Sequence, residues 1–329
     1  MVLRYVMVLT MLVLQCSHAR AAQSTPSHAA GADYPSKPVR FISPFSAGGG
    51  TDTIARTLAA RLGEQMGRAF VVDNRGGAEG VVGTEIGAKA PADGYTLLVA
   101  NVGTFSQTPN LRKVAYDPLR DFAPITQTTA SSTVLAVSPT LPVRALKDFV
   151  TLVKAKPGQY NYGSGSNAQA LPMEMLKLMA GIDMKGIPYK GTGPTLVAVM
   201  SGEVIAFFGG SINTTPHVKA GRLRALAVAG NRRAQALPDI PTVAEAGYPG
   251  YEANSWNGIV APTGTPRVII DKLNAAMVKV LRSAEVRNFM LGDGAEPAPG
   301  TPEEFATFLR ADHAKWARVI RAAGLRDSQ

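Results

Sequence analysis

Strand-like and helix-like runs alternate along this chain, and twice a strand runs through glycines directly into a helix. The first such passage is PFSAGGGTDTIARTLAARL, from Pro44 to Leu62. Alternation with short connections restricts the chain to α/β architectures, because each strand must be covered by a helix that follows it closely. VRFISPF (Val39 to Phe45) reads as a buried strand. Ile54, Leu58, Leu62 and Met66 recur at four-residue spacing and predict an amphipathic helix. FVVDN is a second strand, GTEIGAKA a short helix, and YTLLVAN (Tyr95 to Asn101) a third strand. That third strand is almost continuously apolar, as parallel strands covered on both faces are.

A second unit begins near TVLAVSP (Thr133 to Pro139). Its pattern is helix LKDFVTLVKAK, strand YNYGS, helix PMEMLKLMAG, strand KGIPYK, helix PTLVAVMSG and strand VIAFFGG. After LRALAVAG comes LPDIPTVAEAGYPGYEANSWNGIVAP, too long for a simple loop and read as a crossing back to the first unit. Two helices close the chain. PRVIIDKLNAAMVKVLRS starts at Pro266, a residue suited to a first turn. TPEEFATFLRADHAKWARVIRAAG opens with a capping box, Thr301 to Glu304, and ends at Gly324.

The N-terminus carries Arg4, an apolar run from Val6 to Leu14, and Ala19-Arg20-Ala21. A basic start, a short apolar core and small residues make a secretory signal peptide over 1–21, too short to span a bilayer. Residues 22–37 read as a flexible leader. Gln15 stands where lipidation of Cys16 needs a small residue, so Cys16 is expected to leave with the signal, and the mature chain has no cysteine. The net charge of +10 raises the question of nucleic acid. The Lys and Arg residues are scattered and no aromatic–basic module gathers them, so no nucleic-acid partner is expected. Apolar residues at 46% and charged residues at 18% exclude wholesale disorder.

The first glycine loop lacks the lysine of a P-loop and the third glycine of a dinucleotide motif. Two readings remain for it. One is a plain strand-to-helix turn capped by Thr51 or Asp52. The other is an anion site built from backbone N–H groups at the positive end of a helix dipole. The second passage, YNYGSGSNAQALPMEMLKLMAG, tips the balance, since Gly163 to Asn167 again join a strand to a helix and offer hydroxyls, an amide and flexible backbone. Two such loops in two α/β units imply facing anion sites across a cleft, at the carboxyl ends of strands. Tyr189, Gly191 and Thr192, and then Gly209, Gly210 and Ser211, add further strand ends. Phe45, Tyr189 and Trp256 suit a cleft wall and a core equally.

Catalytic constellations are not found. There is no Gly-x-Ser-x-Gly elbow and no acid–base carboxylate pair. His28, His217 and His313 lie at no metal-ligand spacing. His217, placed near a helix start after Pro216, and His313 read as surface or packing residues. Neither an enzyme, a metal nor a cofactor is expected.

The segments YPSKPVRFISPFSAGGGTD, VVDNRGGAEGVVGTE, APADGYTLLVA, YDPLRDFAPIT, IPYKGTGP, HVKAGRLRALAVAG and LPDIPTVAEAGYPGYEANSWNGIVAPTGTP resemble, in order and spacing, the substrate-binding receptors of tripartite tricarboxylate transporters, the Bug family. The resemblance implies a two-lobed periplasmic-binding-protein fold of type II, each lobe a mainly parallel sheet flanked by helices, with a hinge crossed by extended segments. Lobe 1 is then 38–134 with 258–329, and lobe 2 is 135–257. It implies a monomer in the periplasm that binds a small organic carboxylate, a dicarboxylate or related acid, and hands it to membrane transporter subunits. Backbone amides and ordered water would hold the ligand. Its residues carry over onto Gly48, Gly49, Thr51 and Asp52, and onto Ser164, Ser166, Asn167 and Gln169. Phe45, Asn101, Tyr189, Gly209 and Ser211 complete the expected site. Three departures stand out. Ser46-Ala47 replace two usual prolines, the second loop lacks the family's longer Gly-Asn-Gly-Ser/Thr run with a His, and Gly209 stands where Asp is common. The last predicts a preference for plain or hydroxylated carboxylates over α-amino acids. Two other readings stay open: a ligand-presenting partner of a signalling system, and an exported hydrolase, for which a nucleophile–base pair is missing.

Overall fold

Strand β1 (Val39–Ser43) buries nearly every side chain, and helix α1 (Gly50–Met66) lays Ile54, Leu58 and Leu62 over it. The computed structural model describes residues 33–48, 50–292 and 295–326. The expected signal peptide, Cys16 and Gly49 lie outside the described residues. The contacts divide the chain after Tyr34, and everything from Pro35 onward belongs to one compact unit.

That unit contains two sheets. The first has the order β11-β4-β10-β3-β1-β2. It combines β1 with β2 (Phe70–Asn74), β3 (Thr96–Asn101), β4 (Phe122–Ser131), β10 (Ser255–Pro262) and the short β11 (Glu296–Pro297). β1, β2 and β3 are parallel, and β4 shares their direction because both β3 and β4 run antiparallel to β10. The second sheet has the order β7-β6-β8-β5-β9. Its strands are β5 (Thr133–Val137), β6 (Asn161–Ser164), β7 (Lys185–Pro188), β8 (Ala206–Gly210) and β9 (Arg224–Val228). Here β5 alone runs against the rest. Each sheet is thus mainly parallel in direction, broken by β10 and the short β11 in the first and by β5 in the second, and both β10 and β5 arrive from the other sheet.

The step from β1 to β2 moves one way along the first sheet, and the step from β2 to β3 moves back past β1. Right-handed crossovers in opposite directions put their helices on opposite faces. Hence α1 covers one face and α2 (Val81–Ala88) the other. Helix α8 (Arg267–Arg282) packs on α1, and α9 (Ala284–Gly292) packs on α8. Helix α10 (Pro302–Ala322) packs against β4 and against the π-helical turn Gly103–Gln107, which leads into the short α3 (Thr108–Leu111). Its Phe305 and Phe308 meet Trp256 edge-on, and the Trp256 indole donates to Asp312 at 2.9 Å. Trp256 is therefore core, not cleft wall.

In the second sheet, α4 (Leu146–Lys154), α5 (Asn167–Ala180), α6 (Thr192–Ser201) and α7 (Ser211–Lys219) supply the cover. Helix α5 starts at Asn167, not at Pro172, which sits inside the helix. Strand β4 and helix α9 carry no pattern that marks them in the sequence, and His217, expected near a helix start, lies in the last turn of α7. Pro266 is the N-cap of α8 rather than its first helical residue. The Thr301–Glu304 capping box forms as expected, with both hydrogen bonds made.

The chain passes between the sheets at Ser132 and again between β9 and β10. These passages are laced together. Ala229 N–H donates to the Thr133 carbonyl at 2.7 Å, Ala253 N–H to the Ala229 carbonyl at 2.8 Å, and the Thr133 hydroxyl to the Ala253 carbonyl at 3.2 Å.

Candidate functional site

Carboxyl ends of strands from both sheets open on one cavity of about 800 Å³. Open α/β sheets present ligand sites at this edge, because the loops and helix N-termini that follow the strands gather there. The first turns of four helices line it: α1 through Thr51, α5 through Asn167 and Ala168, α6 through Thr192, and α7 through Ser211 and Asn213. No side chain caps α5, α6 or α7. The leading N–H groups of α5 and α6 therefore keep the demand for an acceptor that an uncapped helix start has, whereas the Ser211 N–H that opens α7 donates to the Ser132 carbonyl, and all three helix dipoles add positive potential. Among the described residues no Lys or Arg lines the cavity, and Glu79 is the one charged side chain that does.

The first glycine loop divides its labour. Phe45, Gly48 and Thr51 line the cavity. Gly48 adopts φ +84°, a left-handed conformation that favours glycine, and its N–H donates to the Asp52 carboxylate at 2.9 Å. Asp52 faces away from the cavity. It also accepts from Asn74 Nδ2 and Arg56 Nε, each at 2.9 Å, and is 3% exposed. Burial alone would push its carboxyl up; the hydrogen bonds from Arg56, the Gly48 amide and Asn74 outweigh that and hold it below the usual aspartate range. Asp52 thus shapes the loop instead of facing a ligand.

In the second loop, Ser166 and Asn167 line the cavity, whereas Ser164 and Gln169 do not. Gln169 is buried and ties loops together: its Oε1 accepts from Gly165 N–H at 2.7 Å and its Nε2 donates to the Thr192 hydroxyl at 2.8 Å. The Ser164 carbonyl accepts from Tyr189 N–H at 2.8 Å. Tyr189 packs on the second sheet's core and donates its hydroxyl to Glu203 at 2.8 Å, outside the cavity. Gly209 is buried behind the wall, where a Cβ would stand 2.4 Å from both the Phe207 ring and the Thr214 hydroxyl; Gly210 lines the cavity in its place. Side chains alternate across a strand, and the register decides which of two adjacent glycines faces the cavity. Ser211 lines the cavity but has both donors engaged on the Ser132 carbonyl, the amide at 3.2 Å and the hydroxyl at 2.7 Å. It ties β8 to the chain crossing.

Asn101, at the end of β3, has a donor in reserve. Thr104 N–H takes its Oδ1 at 3.1 Å, which assigns the free end as Nδ2. That amide nitrogen is buried without a partner and the residue lines the cavity. A buried unpaired donor is costly, and a ligand oxygen relieves the cost.

Several lining residues escaped the sequence reading: Gln107 of the π-helical turn, Ser131, Ser132, Ser255 and Asn257 of the crossings, and Phe289 and Met290 of α9. The serines and Asn257 had a signal, their place where the chain changes units. Glu79 also had one, a lone charge within GGAEG ahead of a helix. Phe289 and Met290 had none.

A family model described as the tripartite tricarboxylate transporter family receptor matches residues 54–325. The chain is similar to protein BugT of Bordetella pertussis, 36% identical over 299 residues that cover 88% of this chain and 90% of that one. Among solved structures it is similar to R. palustris Rpa4515 with adipate, at TM-score 0.77 and 35% identity over 88% of this chain and 98% of that one. It is likewise similar to MatC (Rpa3494) from Rhodopseudomonas palustris with bound malate, at TM-score 0.73 and 32% identity over 87% and 100%. A structure of the periplasmic binding protein BugD matches at TM-score 0.74 and 33% identity over 89% and 99%. The fold is the two-lobed periplasmic-binding-protein fold, and the chain belongs to the tripartite tricarboxylate transporter receptor family, the Bug family of periplasmic solute receptors.

Proposed function

We propose that this protein is exported by its N-terminal signal, binds a small organic carboxylate in the cavity between its sheets, and delivers it to a tripartite tricarboxylate-type membrane transporter without chemical change. The observation that carries the reading is the set of uncapped helix starts and the unpartnered Asn101 amide around a cavity that, among the described residues, no Lys or Arg lines. Neutral donors and helix dipoles suit an anion that must be released again, since they bind it without a buried salt bridge. The lobes, 38–134 with 258–329 and 135–257, would close about the crossings at Ser132 and between β9 and β10, excluding water and strengthening every bond to the anion. The similar structures with adipate and with bound malate are consistent with a carboxylate ligand.

The test is a thermal-shift screen of refolded, ligand-stripped protein against small carboxylates, followed by calorimetry on the hits. Stabilisation by a carboxylate and none by its amide supports the reading. No response to any carboxylate from a folded sample overturns it.

A further inference from the structure

The cavity is lined unequally on its two sides. On the side of α1 and α9 it presents Ile54, Phe289 and Met290. Phe289 is 47% exposed, a large aromatic facing a cavity with little to cover it. Such exposure of an apolar side chain is informative where it adjoins a concave site, because an apolar ligand surface placed there leaves water with it. On the opposite side, in the loop ahead of α2, stands Glu79. The two sides are separated because α1 and α2 cover opposite faces of the first sheet, and α9 follows α1 through α8.

Glu79 is held there at some cost. It and Ala78 are the only non-glycine residues at positive φ among the described residues, at +56° and +46°. Left-handed backbone is unfavourable for residues with a Cβ and persists where the surroundings determine it. The Glu79 carboxylate accepts from Asn167 Nδ2 at 3.2 Å, across from the start of α5, and from Arg112 at 3.4 Å. It thus sits beside one of the uncapped helix starts offered to an anion.

We propose that the ligand carries a single carboxylate and an apolar body, and that Glu79 excludes a second carboxylate. The inference rests on the carboxylate-receptor reading above. The helix starts take the one carboxylate, and the body lies against Ile54, Phe289 and Met290. With one carboxylate at the start of α5 and its body along this wall, a dicarboxylate brings its second charge either onto the apolar wall, where burying an unpaired charge is unfavourable, or towards Glu79, whose carboxylate repels it despite the Arg112 partner at 3.4 Å. An aliphatic or aromatic monocarboxylate meets neither penalty.

Hexanoate and adipate share a six-carbon chain and differ in the second carboxylate, so calorimetric titration of both at neutral pH decides the matter. Ligand-stripped protein is expected to bind hexanoate about fivefold or more tightly than adipate, an energy difference of about 1 kcal/mol. Glu79→Gln keeps the shape and removes the charge, and is expected to narrow that ratio at least about threefold. Phe289→Ser is expected to weaken hexanoate about fivefold. Adipate binding as tightly as hexanoate, or a ratio unmoved by Glu79→Gln, overturns this inference and leaves the carboxylate receptor standing. Failure of both acids, together with every other carboxylate, to bind a folded sample overturns the receptor reading as well.

Discussion

Gly165 has no room for a side chain. A Cβ there would stand 2.3 to 2.7 Å from the backbone of Gly191, which cannot move aside as a flexible side chain can. The two loops that begin α5 and α6 therefore touch backbone to backbone, and Gln169 bonds to both. Gly165→Ala is expected to cost about 2–3 kcal/mol of stability, in the range of overpacked core sites, and to weaken ligand binding together with it. Urea denaturation measures the first effect; a loss under about 0.5 kcal/mol, typical of an unconstrained surface site, would contradict the packing argument. Asp52 supports a prediction in pH. Its folded carboxyl lies below the ordinary aspartate value, so its stabilisation is complete above the unfolded value, near 3.9, and is lost as pH falls through the folded value. Asp52→Asn should lower stability at pH 7 by about 1–2 kcal/mol through lost charge-assisted hydrogen bonds. The two proteins should converge in acid, and stability curves that stay parallel down to pH 3 would sink the assignment.

Helices in this molecule start in two ways. Helix α10, which contributes no lining residue, begins with a complete capping box, whereas α5, α6 and α7 begin uncapped at the edge of the cavity. Thr301→Ala should cost about 1 kcal/mol, the usual value of an N-cap, with no effect on ligand affinity. An altered affinity would mean that α10 transmits strain to the cavity. Helix α10 also matters to the first sheet through the Trp256–Asp312 hydrogen bond, since Asp312 is 3% exposed and pairs with Lys315 at 2.7 Å. Asp312→Ala leaves a buried indole N–H without an acceptor and Lys315 without its carboxylate. A cost of about 2–4 kcal/mol is expected in chemical denaturation, and Asp312→Asn, which keeps an acceptor for the indole, should recover part of it.

At the scale of the whole molecule, among the described residues only the passages at Ser132 and between β9 and β10 join the two sheets through the chain, and Ser132 and Ser255 at their ends line the cavity. A ligand held from both sides should stabilise the molecule as a unit. At about 100 times Kd the gain is about 2.7 kcal/mol, with one unfolding transition in calorimetry and a smaller radius of gyration in solution scattering. A ligand that shifts one of two separate transitions would instead place binding within one lobe. Much of this was legible beforehand, because strand and helix periodicity, capping chemistry and glycine punctuation are local properties of a chain. The β1, α1, β2, α2, β3 succession, the capping box of α10 and the loop residues Phe45, Gly48, Thr51, Ser166 and Asn167 follow from such local rules. Asn101 belongs with them, at the end of an apolar strand. Facing is not a local property. Asp52 turned inward to Asn74 and Gln169 to Thr192, each more than twenty residues away, Gly209 yielded its place to Gly210 through strand register, and Tyr189 went to the second sheet's core. Phe289 and Met290 reach the cavity only because α9 packs on α8 and α8 on α1, and that depends on residues more than two hundred positions apart in the chain coming into contact. Sequence thus determined the elements and the chemistry offered at their ends. Which of those groups lines the cavity was settled by long-range packing, since burial and register are properties of neighbours that local patterns do not contain.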